Sequence, residues 1–593
     1  MQYHKFYLPA LTAALAVTAI GCVDDNYDLS DIDTTTQLTV KDLVLPVNIS
    51  DVTLGDIITY DEDSKIQPIQ IGDKSVYALS ESGDFNSDDI FINSFTCAKP
   101  VLNPTEETLS QVIAANAPRK AAGVNDDFSC TYDIVNMGNS FEYTASDIDP
   151  AIEQIYSVTT KPLTFKAHLL AMEVDGKVES ITFTDLIIQM PLGLRIDNAK
   201  SDGTYDPATG VWKIDRAEVS TGDPYLDAQL VATAVDFRAA GCQISNHAIV
   251  FNGEFMVKSG LLTIQPIVIN GIPAALPEDL RFRVEYTLND LVAESFSGKV
   301  KYDLDGMNID PVSLSDIPDF LSEPGTDIRL GNPQIYLSLN NPVGNYNLHY
   351  TAGMTLSAIR DNAPTQDFTL DAPLDVTADK GINGPYNYVL SPKNEDLALT
   401  GYHWQVFSTL GNLLAAPNAS TGLPNSIGIA IVNPGIPSQE VNNFALNTTV
   451  PGVKGEYQLI APLALTDNST ITYSDKTDGW LSEDTEEIEI SKLELTATVS
   501  NNAPVAVELT AYPLDRDGNE IPGVTVTSSI LEANTADQPI LIEMNGGPIK
   551  GLDGVRYVAH VKGSNSGEAL SPSQTIVLSN IKARVSGHYI TSF

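Results

Sequence analysis

Basic residues are what this chain has least of for its size. Its 593 residues hold 33 Lys and Arg against 77 Asp and Glu, a formal net charge of −44. That charge repels phosphate backbones and anionic headgroups, which argues against nucleic acid and against electrostatic membrane binding. Histidine, cysteine and tryptophan are also scarce, at 7, 4 and 3. The histidines (His4, His168, His247, His349, His403, His560 and His588) stand singly, without HExxH or an i,i+4 pair, and no CxxC occurs. Zinc and other metals are therefore not expected. A P-loop, a dinucleotide fingerprint and a G-x-S-x-G elbow are missing, so no cofactor is expected. Beyond the N-terminus no apolar run reaches the ~18 residues of a membrane-spanning helix.

The composition that remains is that of a folded chain. An apolar fraction of 43% with 19% charged residues is ordinary for globular proteins. The length calls for several domains. With 40 Gly, 35 Pro and 23 Tyr against 8 Met, short strands and turns are favoured over long helices.

The N-terminus reads as an address. Lys5 precedes an apolar run from Phe6 to Ile20 with the build of a secretory signal. The run ends Ala19-Ile20-Gly21-Cys22, which resembles a bacterial lipobox, with Ala19 in place of the usual Leu and Ile20 in place of the usual small residue. The resemblance implies that Cys22 is diacylated on sulfur and becomes the mature N-terminus, anchored in membrane lipid. From Val23 to Asp33 the chain carries five acids and no base, a composition that stays solvated and extended. Acids directly after a lipidated Cys resemble the export signal of Bacteroidota surface lipoproteins, which implies the outer face of the outer membrane. A solvated linker facing the periplasm is the alternative. Asp33-Thr34-Thr35 is similar to a short O-glycosylation acceptor motif of that phylum.

Cysteine usage fits an oxidising compartment. Cys97 and Cys130 lie in two strand-like pieces of the same region, where a disulfide between them is possible, and Cys242 reads as a small buried hydrophobe.

Period-two patterning dominates the rest. Tyr346, Leu348, Tyr350, Ala352, Met354, Leu356 and Ala358 alternate with mostly polar neighbours, the mark of a long half-buried strand. Helical candidates are short: one starting at Thr105, with acids Glu106 and Glu107 in its first turn, and one through Asp316–Leu321. Two cassettes repeat: Ile335–Leu339 followed by Asn340-Asn341-Pro342-Val343, and Leu493–Val499 followed by Asn501-Asn502-Ala503-Pro504-Val505. Asn tolerates turn geometry and Pro cannot donate to a ladder, so each cassette marks a strand leaving one sheet. Upstream of the second, Ile488 and Ile490 alternate in one parity and Leu493, Leu495 and Ala497 in the other. A bulge near Ser491-Lys492 keeps both sets on the core face.

These cassettes resemble those of immunoglobulin-like and LEA-type β-sandwiches. The turn Asp206-Pro207-Ala208-Thr209-Gly210 before Trp212 and Ile214 resembles a hairpin of bacterial surface modules, with Trp212 in the core. The expected fold class is all-β: several antiparallel β-sandwich modules in tandem, with less than about 15% helix against a norm of about 30%. Expected boundaries are a signal peptide at 1–21, an acidic tether at 22–40, an N-terminal module at 41–145, further sandwich modules at 146–315 and 316–487, and a C-terminal module at 488–593.

Two D-x-D-G turns, Asp303–Gly306 and Asp515–Gly518, lack the EF-hand spacing and read as hairpin turns. Aromatic residues beside polar neighbours are the candidate ligand contacts: Tyr402 and Trp404, and Trp480 after the turn Asp475–Gly479. The expected function is a noncatalytic cell-surface lipoprotein, a scaffold for binding or adhesion to glycan or a partner outer-membrane protein. The alternative is a surface hydrolase acting on polysaccharide, its carboxylates brought together only by the fold. A membrane β-barrel is a minor third reading, from the alternation Val585, Gly587, Tyr589, Thr591 and Phe593.

Metabolic labelling with a clickable fatty acid is expected to tag the protein, and Cys22→Ala to abolish the tag. A labelled Cys22→Ala protein overturns the lipoprotein reading.

Overall fold

The computed structural model describes residues 35–46, 52–54, 64–116, 129–134, 136–172, 176–220, 225–245, 247–276, 280–314, 317, 321, 325–418, 420–479, 488–564 and 566–592. Strands take 61% of the described residues, in mainly antiparallel sheets, and among those residues no sheet closes into a barrel. The C-terminal strand Thr575–Ser592 is flanked on both sides, by Thr35–Pro46 and by Ile488–Asn501, so its alternation belongs to the interior of an open sheet.

The sheets pack as three sandwiches, two of which share a sheet. A seven-stranded sheet built around Val178–Gln189 and Ala248–Pro266 faces one half of a twelve-stranded sheet. Aromatic rings interlock between them: Phe165 meets Phe141 and Phe255, and Phe255 meets Tyr286 at 4.7 Å between centroids. The other half of the twelve-stranded sheet faces a six-stranded sheet ordered His403–Val406, Tyr386–Ser391, Gln334–Leu339, Lys454–Pro462, Lys74–Asn86, Ile66–Ile71. There the Tyr350 hydroxyl donates to Asn340 O, 2.9 Å, and the Tyr388 hydroxyl to Asp375 O, 2.8 Å. The third sandwich packs the sheet of Thr35–Pro46, Thr575–Ser592, Ile488–Asn501, Thr535–Ile549 and Val524–Thr527 on a four-stranded sheet. Its apolar clusters are small, one around Ala511, Met544 and Ile549, the other around Ala497, Val499 and Leu531.

Long strands join the first two sandwiches. Ser426–Ala445 starts beside Ser313 and ends beside Ser295, on strand Leu291–Asp303. That strand pairs in turn with Ile152–Met172, from Val300↔Ile152 to Ala293↔Thr160.

Residues 41–145 do not form a module of their own, contrary to the expected boundaries. Thr35–Pro46 pairs with the last strand of the chain, Lys74–Asn86 with Lys454–Pro462, Thr105–Thr108 with Arg281–Val284, and Met137–Ala145 with Ile249–Val257. The N-terminal quarter threads all three sandwiches because each of its strands satisfies its ladder on a strand far away in sequence.

Several local expectations are met at the level of single residues. Leu348, Tyr350, Ala352, Met354, Leu356 and Ala358 are all buried, although the strand begins at Tyr350, after a 3-10 turn at Gly344–Tyr346. Pairing shifts register between Ile490 and Lys492 on both neighbouring strands, with the Ser491 hydroxyl donating to Ser586 O, and Ile490 and Leu493 both reach the core. Trp212 is fully buried and donates to Asp202 O, 2.6 Å. The helix near Thr105 starts later, at Leu109–Asn116, because Thr105–Thr108 is taken into a ladder. Its capping box is Thr108 and Gln111: Gln111 N–H donates to Thr108 Oγ1, and Thr108 N–H donates to Gln111 Oε1. Of the second helical candidate, Asp316, Pro318, Asp319 and Phe320 lie outside the described residues.

The two cassettes share a device, offset by one residue. Asn341 is fully buried, its amide donates to Leu348 O and Thr377 O, and its Oδ1 accepts the Val343 N–H. Asn501 is equally buried, donates to Val505 O and Glu532 O, and accepts the Ala503 N–H. The corner is therefore made by the second Asn of the first pair and the first Asn of the second.

Replacing Asn341 by Ala strands two carbonyls and one N–H in the interior, and is expected to cost ~2–3 kcal/mol. Urea unfolding of Asn341→Ala checks this, with exposed Asn394→Ala as a control expected to stay within about 0.5 kcal/mol.

Candidate functional site

Tyr402 and Trp404 come together on the outer face of the six-stranded sheet. That face carries Tyr336, Val389 and Ile460, all buried, and the segment between Ser391 and Tyr402 crosses over them. The crossing is what lets His403–Val406 return parallel to Tyr388–Ser391. Leu397, Ala398, Leu399, Tyr402 and Trp404 pack on the cluster from above. The Tyr336 hydroxyl donates to Gln334 Oε1, 2.6 Å, and accepts the Leu399 N–H, 3.0 Å, while Gln334 Oε1 also accepts the Ala398 N–H. Burial raises the Tyr336 phenol above its ordinary pKa, so it is neutral and free to donate. Tyr402 meets Tyr336 edge-on at 4.8 Å, and Trp404 Nε1 donates to Ser391 Oγ, 3.1 Å. The polar atoms of this patch are engaged in holding the crossing segment, while its Tyr402 and Trp404 rings keep part of their surface in solvent. Trp480, the remaining aromatic candidate, lies outside the described residues, as does Cys22.

A second site went unnoticed in the sequence. Ser140, Phe141 and Glu142 on one strand and Asn252, Gly253 and Glu254 on its neighbour line a shallow open groove of about 490 Å³. The register Asn252↔Glu142, Gly253↔Phe141 and Glu254↔Ser140 sets four exposed polar side chains on one face, with the two carboxylates on a diagonal. On the inner face Gly253 makes room for a ring: a Cβ there would lie 2.5 Å from Phe141 Cζ and 2.6 Å from Pro191 Cγ. Their hydroxyl, amide and carboxylate groups can donate to and accept from the hydroxyls of a polyhydroxylated ligand. The signal in the sequence was the alternation Ser-Phe-Glu and Asn-Gly-Glu, but only the register joins segments more than a hundred residues apart.

The D-x-D-G segments are turns. The Asp515 carboxylate accepts the N–H groups of Asp517 and Asn519, with Gly518 at φ 80°. In the other, Gly306 also has φ 80° and Asp305 O accepts the Asp88 N–H. Among the described residues no group of three or more His, Cys, Asp and Glu is placed to hold a metal ion. His168 and His349 each pair through Nδ1 with a cross-strand carboxylate, Asp227 and Asp375, on exposed sheet faces.

Cys97 and Cys130 are both free thiols, contrary to the proposed bridge. Cys130 lies opposite Ile264, near one end of strand Ala248–Pro266. Cys97 interacts electrostatically with Tyr143 and Cys242, which sit at the other end: Tyr143 faces Phe251, and Cys242 Sγ donates to Val250 O. Val250 and Ile264 are fourteen residue steps apart along the strand, ~45 Å, against the ~7 Å between Cα atoms that a disulfide tolerates. Burial pushes the Cys97 thiol up to about 12 and the Cys242 thiol up to about 11.

Neither a family model nor a curated protein matches this chain. Among solved structures, it is similar to a "putative secreted protein" of Parabacteroides distasonis at 12% identity, covering 49% of this chain and 89% of that one, with a TM-score of 0.35. It is also similar to a triple jelly roll protein of an archaeal virus at 10% identity, covering 83% and 91%, with a TM-score of 0.10.

Because raised thiol pKa values keep Cys97 and Cys242 protonated at pH 8, iodoacetamide is expected to alkylate half-buried Cys130 at least ~10-fold faster than Cys97 in the folded protein, with the difference lost in urea. Peptide mass spectrometry over a time course checks it. On the outer face of the six-stranded sheet, Trp404→Ala is expected to cost ~2 kcal/mol by loosening the crossing segment, read as a lower melting temperature.

Proposed function

We propose that the chain is a noncatalytic cell-surface scaffold, held in outer-membrane lipid by acylated Cys22, that captures glycan at the groove between Ser140, Glu142, Asn252 and Glu254. The observation that carries the reading is the groove itself: four exposed hydrogen-bonding side chains on one rigid sheet face. Strands supply positional precision, and their inward faces are committed to the core, so a ligand is left with outward groups of this kind. The lipobox-like Cys22 and the acidic segment after it support the anchor and the outward orientation. No helix among the described residues is long and apolar enough to cross a membrane. A partner outer-membrane protein in place of glycan is the other binding mode the scaffold allows.

A hydrolase is the second reading, favoured by the diagonal placement of Glu142 and Glu254 on one face. It requires one of the two carboxyls to act as an acid and the other as a base or nucleophile.

Glycan-array binding of the mature chain tests the proposal. Glu142→Ala and Glu254→Ala are each expected to weaken the captured glycan about tenfold, ~1.4 kcal/mol, without moving the melting temperature. Unchanged binding by both variants removes the groove from the proposal. Release of new reducing ends from that glycan, abolished by Glu254→Gln, replaces it with the hydrolase. Protease added to intact cells is expected to degrade the protein, and replacing Asp24 and Asp25 by Ala to protect it.

A further inference from the structure

The first and last strands among the described residues lie side by side. Thr35 pairs with Ser592 and Pro46 with Lys582, and the short strand Val52–Thr53 extends the same ladder to Thr575. The point where the N-terminal segment enters the fold therefore belongs to the last sandwich in the sequence. From Cys22 to Thr35 there are thirteen residue steps, which covalent geometry limits to at most ~45 Å.

The pairing also says what lies far from that point. The terminal sandwich joins the rest through Asp327↔Thr470 and through Leu570, which bonds Tyr77 and Leu463. The Asp327 carboxylate accepts the Ala416 N–H, and Arg360 donates to Ala415 O, which ties this junction to the end of the shared sheet where Ile359 pairs with Ser426. From Ser426 the strand runs away to Ala445, beside Ser295. Ile152–Met172 takes over at Thr160 and ends at Met172, near the hairpin Val268–Ile269 and Ile272–Pro273 that follows Pro266, itself paired with Val178. Ser426–Ala445 and then Thr160–Met172 make on the order of 100 Å of strand at ~3.3 Å per residue.

We infer that the C-terminal sandwich is the part of the particle seated at the membrane surface, and that residues 130–288 form its outward end, with the apolar hairpin around Ile269 and Ile272 at the tip. Distance from the membrane does not follow sequence order: residues 130–288 are outermost, and the first and last described strands are innermost. The inference rests on acylation of Cys22, and it puts the Glu142 and Glu254 strand pair in the outer sandwich, remote from the lipid.

The test uses the full acylated chain on phosphatidylethanolamine–phosphatidylglycerol vesicles carrying a headgroup energy acceptor, after flotation has verified attachment. A donor fluorophore is placed, through a noncanonical residue, at exposed Asp517 in the terminal sandwich or at exposed Asn270 in the hairpin. Transfer efficiency from position 517 is expected to exceed that from position 270 at least threefold. Equal transfer, or more from position 270, in protein that floats with the vesicles overturns the inference and leaves the anchor standing. Protein that carries no fatty acid and does not float overturns the anchor and the inference with it.

Discussion

The ladder between Leu291–Asp303 and its two neighbours, Ile152–Met172 and Ser426–Ala445, is the interaction on which the rest depends. It makes one twelve-stranded sheet serve two sandwiches, so neither can form a complete core without the other. A single apolar cluster accordingly runs from Phe141 and Trp212 in the first sandwich to Leu410 and Leu459 in the second, and on to Ile471 and Leu570. Glycine at position 298 is part of that junction: a Cβ there would lie 1.9 Å from Gln154 O, so the two strands approach as closely as they do only because the side chain is absent.

The terminal sandwich depends on a different constraint. Its own clusters around Ala511 and Ala497 are small, Ile471, Val505 and Leu570 join the main cluster, and its largest sheet is completed by an N-terminal strand that must return from the far end of the sequence. Little apolar burial and a long closure make it the part of the fold with the least local support. The buried Asn501 corner, which satisfies both strands leaving it, stabilises what the core supplies sparingly.

The candidate binding surfaces differ in kind. At Tyr402 and Trp404 the aromatic rings and their hydrogen bonds hold a crossing segment against the sheet, so ligand contact there would draw on groups already engaged. At Glu142 and Glu254 the polar side chains point out from a finished sheet, and the ion pair of Glu254 with Lys258, 2.9 Å, is an exposed one that adds little to stability. Function and stability are therefore separable at the second site and entangled at the first.

What the sequence determined by itself was local: the all-β class from period-two patterning, the bulge at Ser491 from a parity switch, the core place of Trp212 from its turn, and the corner asparagines from their Asn-Pro setting. Each depends on forces between residues a few positions apart, where backbone geometry fixes which face a side chain takes. The tertiary structure alone decided which strands meet. The spread of residues 41–145 over three sandwiches, the placing of Cys97 and Cys130 toward opposite ends of one long strand, the shared face of Glu142 and Glu254, and the union of the first described strand with the last all follow from ladder partners far away in the chain. An antiparallel ladder is made of backbone hydrogen bonds that are alike at every residue, so its partner is chosen by the packing of the whole core and leaves no mark on the local sequence.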